Sequence, residues 1–406
     1  MLSFTGAKAR RVLLAQFLRP IRSLDMHDTV RLTQAKMPDE VQLELLAPWY
    51  TQKSGESRTL DFFDAIPKYP FSVTTSITKA ERIEASFTLH GKRYLAEILP
   101  AQIKDPATGE EKLVFAGARE ELVERALRFI AVQQTAKTRI TLDTNTGREA
   151  ITVFFTLSMI RRHLEALGHG YKLREIQEAL DVLSGTMIEI SPAEGQDIAP
   201  QAGKKPSRRQ RFVKATILSN YAGDFLEGDS TGEESRAAMT FHPLATQAIL
   251  ELAYYPINQT RVGSLKHPLA RWLTTRMSHN YRQARKHGFV DNTGYHIALK
   301  TILEERGLTR EARLRNNLDS VRKALQEMKQ RRILSEIEAY KEELVHMPTR
   351  RRPKIVNAIW TLYPSTEFVE EIIGGNREMA LLRAQSEENK RENQLLPGFQ
   401  TEGRGK

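Results

Sequence analysis

The sequence predicts an α+β protein of tandem winged helix-turn-helix domains, with a small N-terminal antiparallel sheet region ahead of them. Three observations predict it. The first is a layout that occurs twice: an amphipathic helix, a short apolar strand, a tight Lys/Arg cluster and a second strand. In the first copy these are Lys172 to Gly185, Thr186 to Ile190, the cluster Lys204, Lys205, Arg208, Arg209 and Arg211, and the return Phe212 to Leu218. In the second they are Arg310 to Arg332, Ile333 to Ile337, the cluster Arg350, Arg351, Arg352 and Lys354, and the return Ile355 to Tyr363. The second observation is that a helix filling a major groove beside a hairpin that reaches phosphates needs this order of apolar and cationic residues. The third is the balance of 61 Lys and Arg against 50 Asp and Glu, a net +11 that favours a polyanionic partner.

Residues 1–58 read as a basic arm, with Lys8, Arg10, Arg11, Arg19 and Arg22 before any acid and one helix near Ala7 to Leu18. The first domain, 59–250, opens with strand-like alternation at Phe71 to Ile77, Ile83 to Leu89, Lys92 to Ile98 and Lys112 to Phe115, broken by the turn residues Lys104 to Gly109. The period then lengthens, and Leu122, Ala126, Phe129 and Ile130 make one stripe of a helix from Arg119 to Gln134. Ile140 to Leu142 and Ile151 to Phe155 flank an Asp-Thr-Asn-Thr-Gly turn. Thr156 or Ser158 can cap the helix that runs to Leu167, and Gly168 and Gly170 turn the chain into Lys172. Gly223 to Ser235 reads as an exposed loop.

The second domain, 251–375, begins with a helix from His267 to Ala284, with Pro268 in its first turn and Leu269, Trp272, Leu273, Met277 and Tyr281 facing inward. A helix from Tyr295 to Glu305 comes next, Gly307 ends it, and Thr309 caps the long helix after it. The charged tail, 376–406, reads as disordered, most clearly from Glu387.

Other chemistry is excluded by composition and motif. The chain has no Cys, so disulfides, thiol catalysis and Cys-ligated zinc are out. No apolar run approaches the roughly 20 residues a membrane helix needs. There is no phosphate-binding loop of the G-x-x-x-x-G-K-[ST] form, and no His-x-His pair beside a nucleophilic Tyr. The ten His show no ligand spacing. The expectation is a soluble, non-enzymatic protein of the bacterial cytoplasm, with no cofactor and no metal.

The two layouts differ in what their helices offer. In the second helix Leu314, Leu318, Val321, Leu325 and Met328 recur at alternating spacings of four and three, which marks a buried face. Arg310, Arg313, Asn316, Asn317 and Ser320 are read as lying off that stripe and available to base edges, because Arg pairs with guanine and Asn with adenine. Lys323 joins the phosphate contacts. In the first helix Leu173, Ile176, Leu180 and Leu183 are the stripe, so Glu175, Glu178 and Asp181 fall on the open face, where a phosphate-lined groove would repel them. The second domain is therefore expected to be the main reader, and the first to contribute its basic hairpin.

Two runs carry a resemblance. Leu60-Asp-Phe-Phe-Asp-Ala-Ile-Pro-Lys-Tyr69 and Phe115-Ala-Gly-Ala-Arg-Glu-Glu-Leu-Val-Glu-Arg-Ala-Leu127 resemble the N-terminal half of the RepA-type plasmid replication initiators of proteobacteria. The resemblance implies a non-enzymatic tandem winged-helix protein that binds repeated origin DNA and opens the adjacent AT-rich duplex. It also implies recruitment of the host initiator, helicase and polymerase clamp, and repression of its own gene as a homodimer. A winged-helix transcriptional repressor, with no opening activity, is the alternative. Gln394-Leu-Leu-Pro-Gly-Phe399 is near the clamp-binding form Gln-Leu-x-Leu-Phe but departs from it at Pro397 and Gly398.

Overall fold

The computed structural model describes residues 50–51, 56–69, 82–89, 92–104, 109–133, 138–142, 149–193, 213–226, 228–250, 254–280, 294–306, 314–347 and 354–395. In chain order the elements are β1 (Tyr50–Thr51), β2 (Glu56–Leu60), α1 (Asp61–Ala65), β3 (Ile83–Leu89), β4 (Lys92–Leu99), β5 (Ala101–Lys104), β6 (Glu111–Val114) and α2 (Ala118–Gln133). Next come β7 (Thr138–Leu142), β8 (Glu149–Thr156), α3 (Leu157–Ala166), α4 (Leu173–Gly185), β9 (Met187–Pro192), β10 (Val213–Thr216), β11 (Leu218–Asp224), β12 (Arg236–Phe241) and α5 (Pro243–Leu250). The rest are β13 (Tyr254–Ile257), α6 (Gln259–Gly263), α7 (Pro268–Asn280), β14 (Tyr295–Ala298), α8 (Leu299–Arg306), α9 (Leu314–Gln330), β15 (Tyr340–Met347), β16 (Lys354–Leu362) and α10 (Thr366–Leu395). The fold is α+β, and the sheets pair antiparallel, in the orders β1-β2-β13, β10-β9-β4-β3, β11-β12-β8-β7, β14-β16-β15 and β5-β6.

Two hydrophobic cores form. The first gathers Phe87, Leu127, Ile151, Ile160, Ile176, Leu180 and Ile188, so the β3–β4 hairpin, α2, α3, α4 and β9 share one interior. The second gathers Leu269, Leu273, Met277, Ile302, Leu318, Val321, Leu325 and Trp360 between α7, α8, α9 and the three-stranded sheet. Within it the chain runs α7, β14, α8, α9, β15, β16, with β16 between its two partners.

Local chemistry explains several boundaries. Thr156 caps α3 by accepting from the Met159 amide at 3.4 Å. Glu175 reaches back to the Lys172 amide at 2.7 Å and opens α4. Asp229 accepts from the amides of Thr231, Gly232 and Ser235 and folds residues 228–235 onto the start of α3. Ser158 there donates its amide to the Gly232 carbonyl at 2.9 Å. Gly232 sits at φ +75, and a Cβ would lie 2.9 Å from the Ser158 nitrogen, so only glycine suits that turn. The loop is exposed as expected at Gly228, Ser230, Thr231, Glu233 and Glu234, and it is organised, with Gly232 and Ser235 buried.

Helix α2 is the spine of the molecule and is buried on nearly every side. Glu120, Glu121, Glu124 and Arg128 lie inside with its apolar stripe. Arg128 forks onto both oxygens of Asp64 at 2.8 and 2.9 Å, and its Nε donates to Glu124 at 2.9 Å. The Tyr69 hydroxyl donates to Glu124 at 2.6 Å, and the Lys68 ammonium donates to the Phe63 carbonyl at 2.7 Å. Burial alone would raise the Asp64 carboxyl, yet Arg128 and Lys68 overcome it and hold it below the usual carboxylate range. On its other side Glu121 meets the fully buried guanidinium of Arg271 in α7 at 3.1 Å, and Arg125 donates to Gln259 at 2.9 Å. Strand β2 pairs with β13, so the segment 56–69 ties α2 to the chain that leads into α7.

Some expectations need correction. Tyr295 to Ala298 is a strand, not the start of a helix. Four residues are too few for a period to show, and Gly294 lets the backbone approach Thr361 of β16 closely. The first strand of the second hairpin is Tyr340–Met347 rather than Ile333 to Ile337. Arg332 adopts φ 55 and ends the helix, Ile333 and Leu334 are buried in the turn, and Ile337 is 98% exposed. The final helix α10 continues to Leu395, past Glu387, because Glu, Lys, Arg and Gln are good helix formers. The helix at Ala7 to Leu18, the strand at Phe71 to Ile77, Tyr281, Gly307 and Thr309 lie outside the described residues.

Candidate nucleic-acid interface

Helix α9 buries Leu318, Val321, Ala324, Leu325 and Met328 and turns its other side outward. At roughly 100° per residue, Asn316 lies opposite that stripe and Asn317 falls about 20° from Met328. The structure agrees with this arithmetic: Asn316 is exposed, whereas Asn317 is 5% exposed and belongs to the core side. Asn317 is therefore removed from the base-reading set. Ser320 is half-buried at the margin, and Lys323 is exposed in line with Asn316. Arg310 and Arg313 lie outside the described residues.

Sequence reasoning missed two arginines. Arg315 is exposed beside Asn316, and its position in the first turn of α9 was the signal that could have found it. Arg322 is a brace: it donates to both oxygens of Glu342 on β15, at 2.9 and 3.1 Å, and to Asp319 at 3.4 Å. This fork fixes the hairpin β15–β16 against the helix, and hydrogen bonding to Glu342 keeps the guanidinium charged. The C-terminal half of α9 is anchored too. Glu327 accepts from the amides of Lys266 and His267, at 2.7 and 2.8 Å, directly ahead of α7. Helix and hairpin thus form one stiff edge, with Arg315, Asn316 and Lys323 facing solvent along it.

Met347 pairs with Lys354 at the last rung of the hairpin, so the sequence interval between them carries Arg350, Arg351 and Arg352. Those three lie outside the described residues, as do Lys204, Lys205, Arg208, Arg209 and Arg211, which fall between β9 and β10. Lys354 is placed as the first residue of β16.

The other helix of the repeated layout behaves differently. Glu178 of α4 does not face solvent freely; it pairs with Lys112 of β6 at 3.1 Å and with Arg119 of α2 at 3.3 Å. A Cβ on Gly185 would lie 2.8 Å from the Ala101 Cβ, so the end of α4 is pressed onto β5. Hairpin β5–β6 therefore covers much of the face that the sequence left open, and of the three acids only Asp181 is exposed.

The runs that carry the family resemblance meet in space. Asp64, Lys68 and Tyr69 come from the first, Glu121 and Glu124 from the second, and Arg128 directly follows it. They make the buried ionic cluster around α2, not the solvent-facing edge of α9.

No protein-family model matches the chain, and no curated protein matches it. Among solved structures, it is similar to the crystal structure of the selenomethionine derivative of domains 2 and 3 of RctB. Identity is 12% and the TM-score 0.40, over 75% of this chain and 96% of that one. A second crystal structure, of RctB domains 2-3, gives 11% identity and a TM-score of 0.37, over 76% of this chain and 99% of that one. Among the described residues no helix is long and apolar enough to cross a membrane.

Proposed function

We propose that this protein is a replication initiator that binds repeated double-stranded origin DNA sequence-specifically and without catalysis. The observation that carries the reading is the stiff edge of α9: Arg315, Asn316 and Lys323 in solvent, beside a hairpin braced through Arg322 and Glu342. The order α7, β14, α8, α9, β15, β16 supports a winged-helix reading, in which the helix before the hairpin would enter the major groove. Asn and Arg offer the bidentate geometry that adenine and guanine edges require, and the cations of residues 350–354 suit the adjacent phosphates. The resemblance of Leu60 to Tyr69 and Phe115 to Leu127 supports the narrower reading of a plasmid initiator. That reading includes opening of an AT-rich duplex, contact with host replication proteins and repression of its own gene.

Footprinting on the DNA flanking its own gene tests this. An initiator gives regularly spaced protections on repeats, together with permanganate reactivity in a neighbouring AT-rich segment of supercoiled DNA. One isolated protection with no permanganate signal would replace initiation by simple repression, and no protection would remove the DNA-binding reading.

A further inference from the structure

Strand β15 stands outermost in the order β14-β16-β15, and among the described residues no strand pairs with its far edge. The parity of that edge follows from the inner partner. The Tyr363 amide donates to the Ala339 carbonyl at 3.0 Å, so in the antiparallel register Ala339, Lys341 and Glu343 turn their backbone groups towards β16. Tyr340, Glu342 and Leu344 therefore aim their N–H and C=O groups at the open edge. Their side chains point inward: Tyr340 and Leu344 pack on the second core, and Glu342 takes the fork of Arg322. Lys341 and Glu343 alternate with them onto the opposite, exposed face. There Lys341 pairs with Glu338 at 3.3 Å and lies 5.4 Å from the centre of the Tyr363 ring. An edge of this kind is a template for another strand.

The charges on the edge decide which strand fits it. Two copies of β15 set antiparallel, with Glu342 on a twofold axis, bring Tyr340 opposite Leu344 and Lys341 opposite Glu343, each pair occurring twice. Tyr340, Glu342 and Leu344 then exchange backbone hydrogen bonds across the axis, and the Lys341–Glu343 pairs fall at the non-hydrogen-bonded positions, where side chains lie closest. Sliding by two residues in either direction would set Lys341 against Lys341 or Glu343 against Glu343, so charge selects this one register. At the axis the two Glu342 side chains face each other. Each already holds its own guanidinium, with Arg322 at 2.9 and 3.1 Å, which answers their repulsion.

We propose that a second copy of this chain pairs along β15, antiparallel about Glu342, and joins the two three-stranded sheets into one. The same patch serves both partners, as a twofold interface requires. This pairing goes beyond the DNA-binding reading and does not depend on it. A short edge buries less than a standard interface, so the dimer forms in a concentration-dependent way.

Sedimentation equilibrium of the full chain without DNA, over a concentration series, tests the pairing. Wild-type protein passes from monomer to dimer. Lys341→Glu and Glu343→Lys each set like charges in both cross-strand pairs and weaken the dimer by more than about tenfold. Both side chains are exposed, so each variant keeps the wild-type circular dichroism spectrum. Mixed in equal amounts, the two single variants pair with each other, and the double variant that carries both substitutions dimerises like wild type, because each combination restores opposite charges. A monomer at every concentration would overturn the pairing. So would a dimer of wild-type strength in either single variant, which places the interface elsewhere, or failure of the mixture or the double variant to recover association.

Discussion

Helix α4 has one of its acids, Glu178, held against neighbouring elements, whereas α9 keeps Arg315 and Lys323 in water. Glu178 of α4 is shared between Lys112 and Arg119, and the helix end presses on Ala101. In α9 Arg322 is tied back to the hairpin, and Arg315, Asn316 and Lys323 stay exposed. The amphipathic patterns of the two helices are alike, but a hairpin from far upstream, β5–β6, was laid over the first and nothing comparable among the described residues over the second. A polar helical face becomes a binding surface only when no other part of the chain claims it. Around α2 the same rule goes furthest, since four of its charges lie inside.

The contrast between inward and outward charges can be broken in measurable ways. The largest effect belongs to α2. Arg128→Met removes the buried guanidinium that Asp64 and Glu124 share and should destabilise the fold by about 3–5 kcal/mol. Arg315→Met on the open face should change stability by less than about 0.5 kcal/mol. Urea unfolding monitored by circular dichroism separates the two, and equal effects would erase the distinction.

Next come the two adjacent asparagines of α9. Asn317→Ala should cost about 1–3 kcal/mol of stability and leave base preference intact, because the side chain is buried. Asn316→Ala should do the reverse, relaxing preference at one base pair in a selection experiment with no change in melting temperature.

The first core also predicts a pH dependence. His242 is fully buried, and burial, then Lys68, lowers its pKa from 6.5 to about 3. A base whose folded pKa lies below its unfolded one contributes no loss above pH 6.5, and stability falls as pH drops from 6.5 towards 3. The slope is about 1.4 kcal/mol per pH unit for one such group. Its Nδ1 accepts from the Leu244 amide at 3.1 Å, a role that Asn can copy. His242→Asn should therefore flatten the stability profile between pH 6 and pH 4 by about that slope, and an unchanged profile would assign the acid sensitivity to other groups. The smallest effect expected is that of Glu178→Gln, about 1 kcal/mol or less, since this pair is partly solvated.

Much of the architecture was legible because it rests on periodicity. Strand β3 matches its expected bounds, α3 is capped by Thr156 as expected, and the stripe of α9 is the buried face. What escaped depended on distant parts of the chain. The pairing of β2 with β13 joins residues about 200 apart in sequence and has no local signature. Covering of Glu178 depends on β6 and α2, and the brace at Arg322 on β15. Asn317 is a different case, since its angular position beside Met328 was available from spacing alone. A helix turns too far per residue to present two adjacent asparagines on one surface.

Which helix meets DNA is the central claim, and one binding comparison tests it most directly. Fluorescence anisotropy with a duplex selected by the full chain compares Arg315→Glu with Lys323→Glu on α9 against Lys172→Glu with Arg174→Glu at the start of α4, four exposed cations in two matched pairs. The prediction is a loss of more than about 100-fold in affinity for the α9 pair and less than about fivefold for the α4 pair. Equal losses, or a larger loss from the α4 pair, would contradict it.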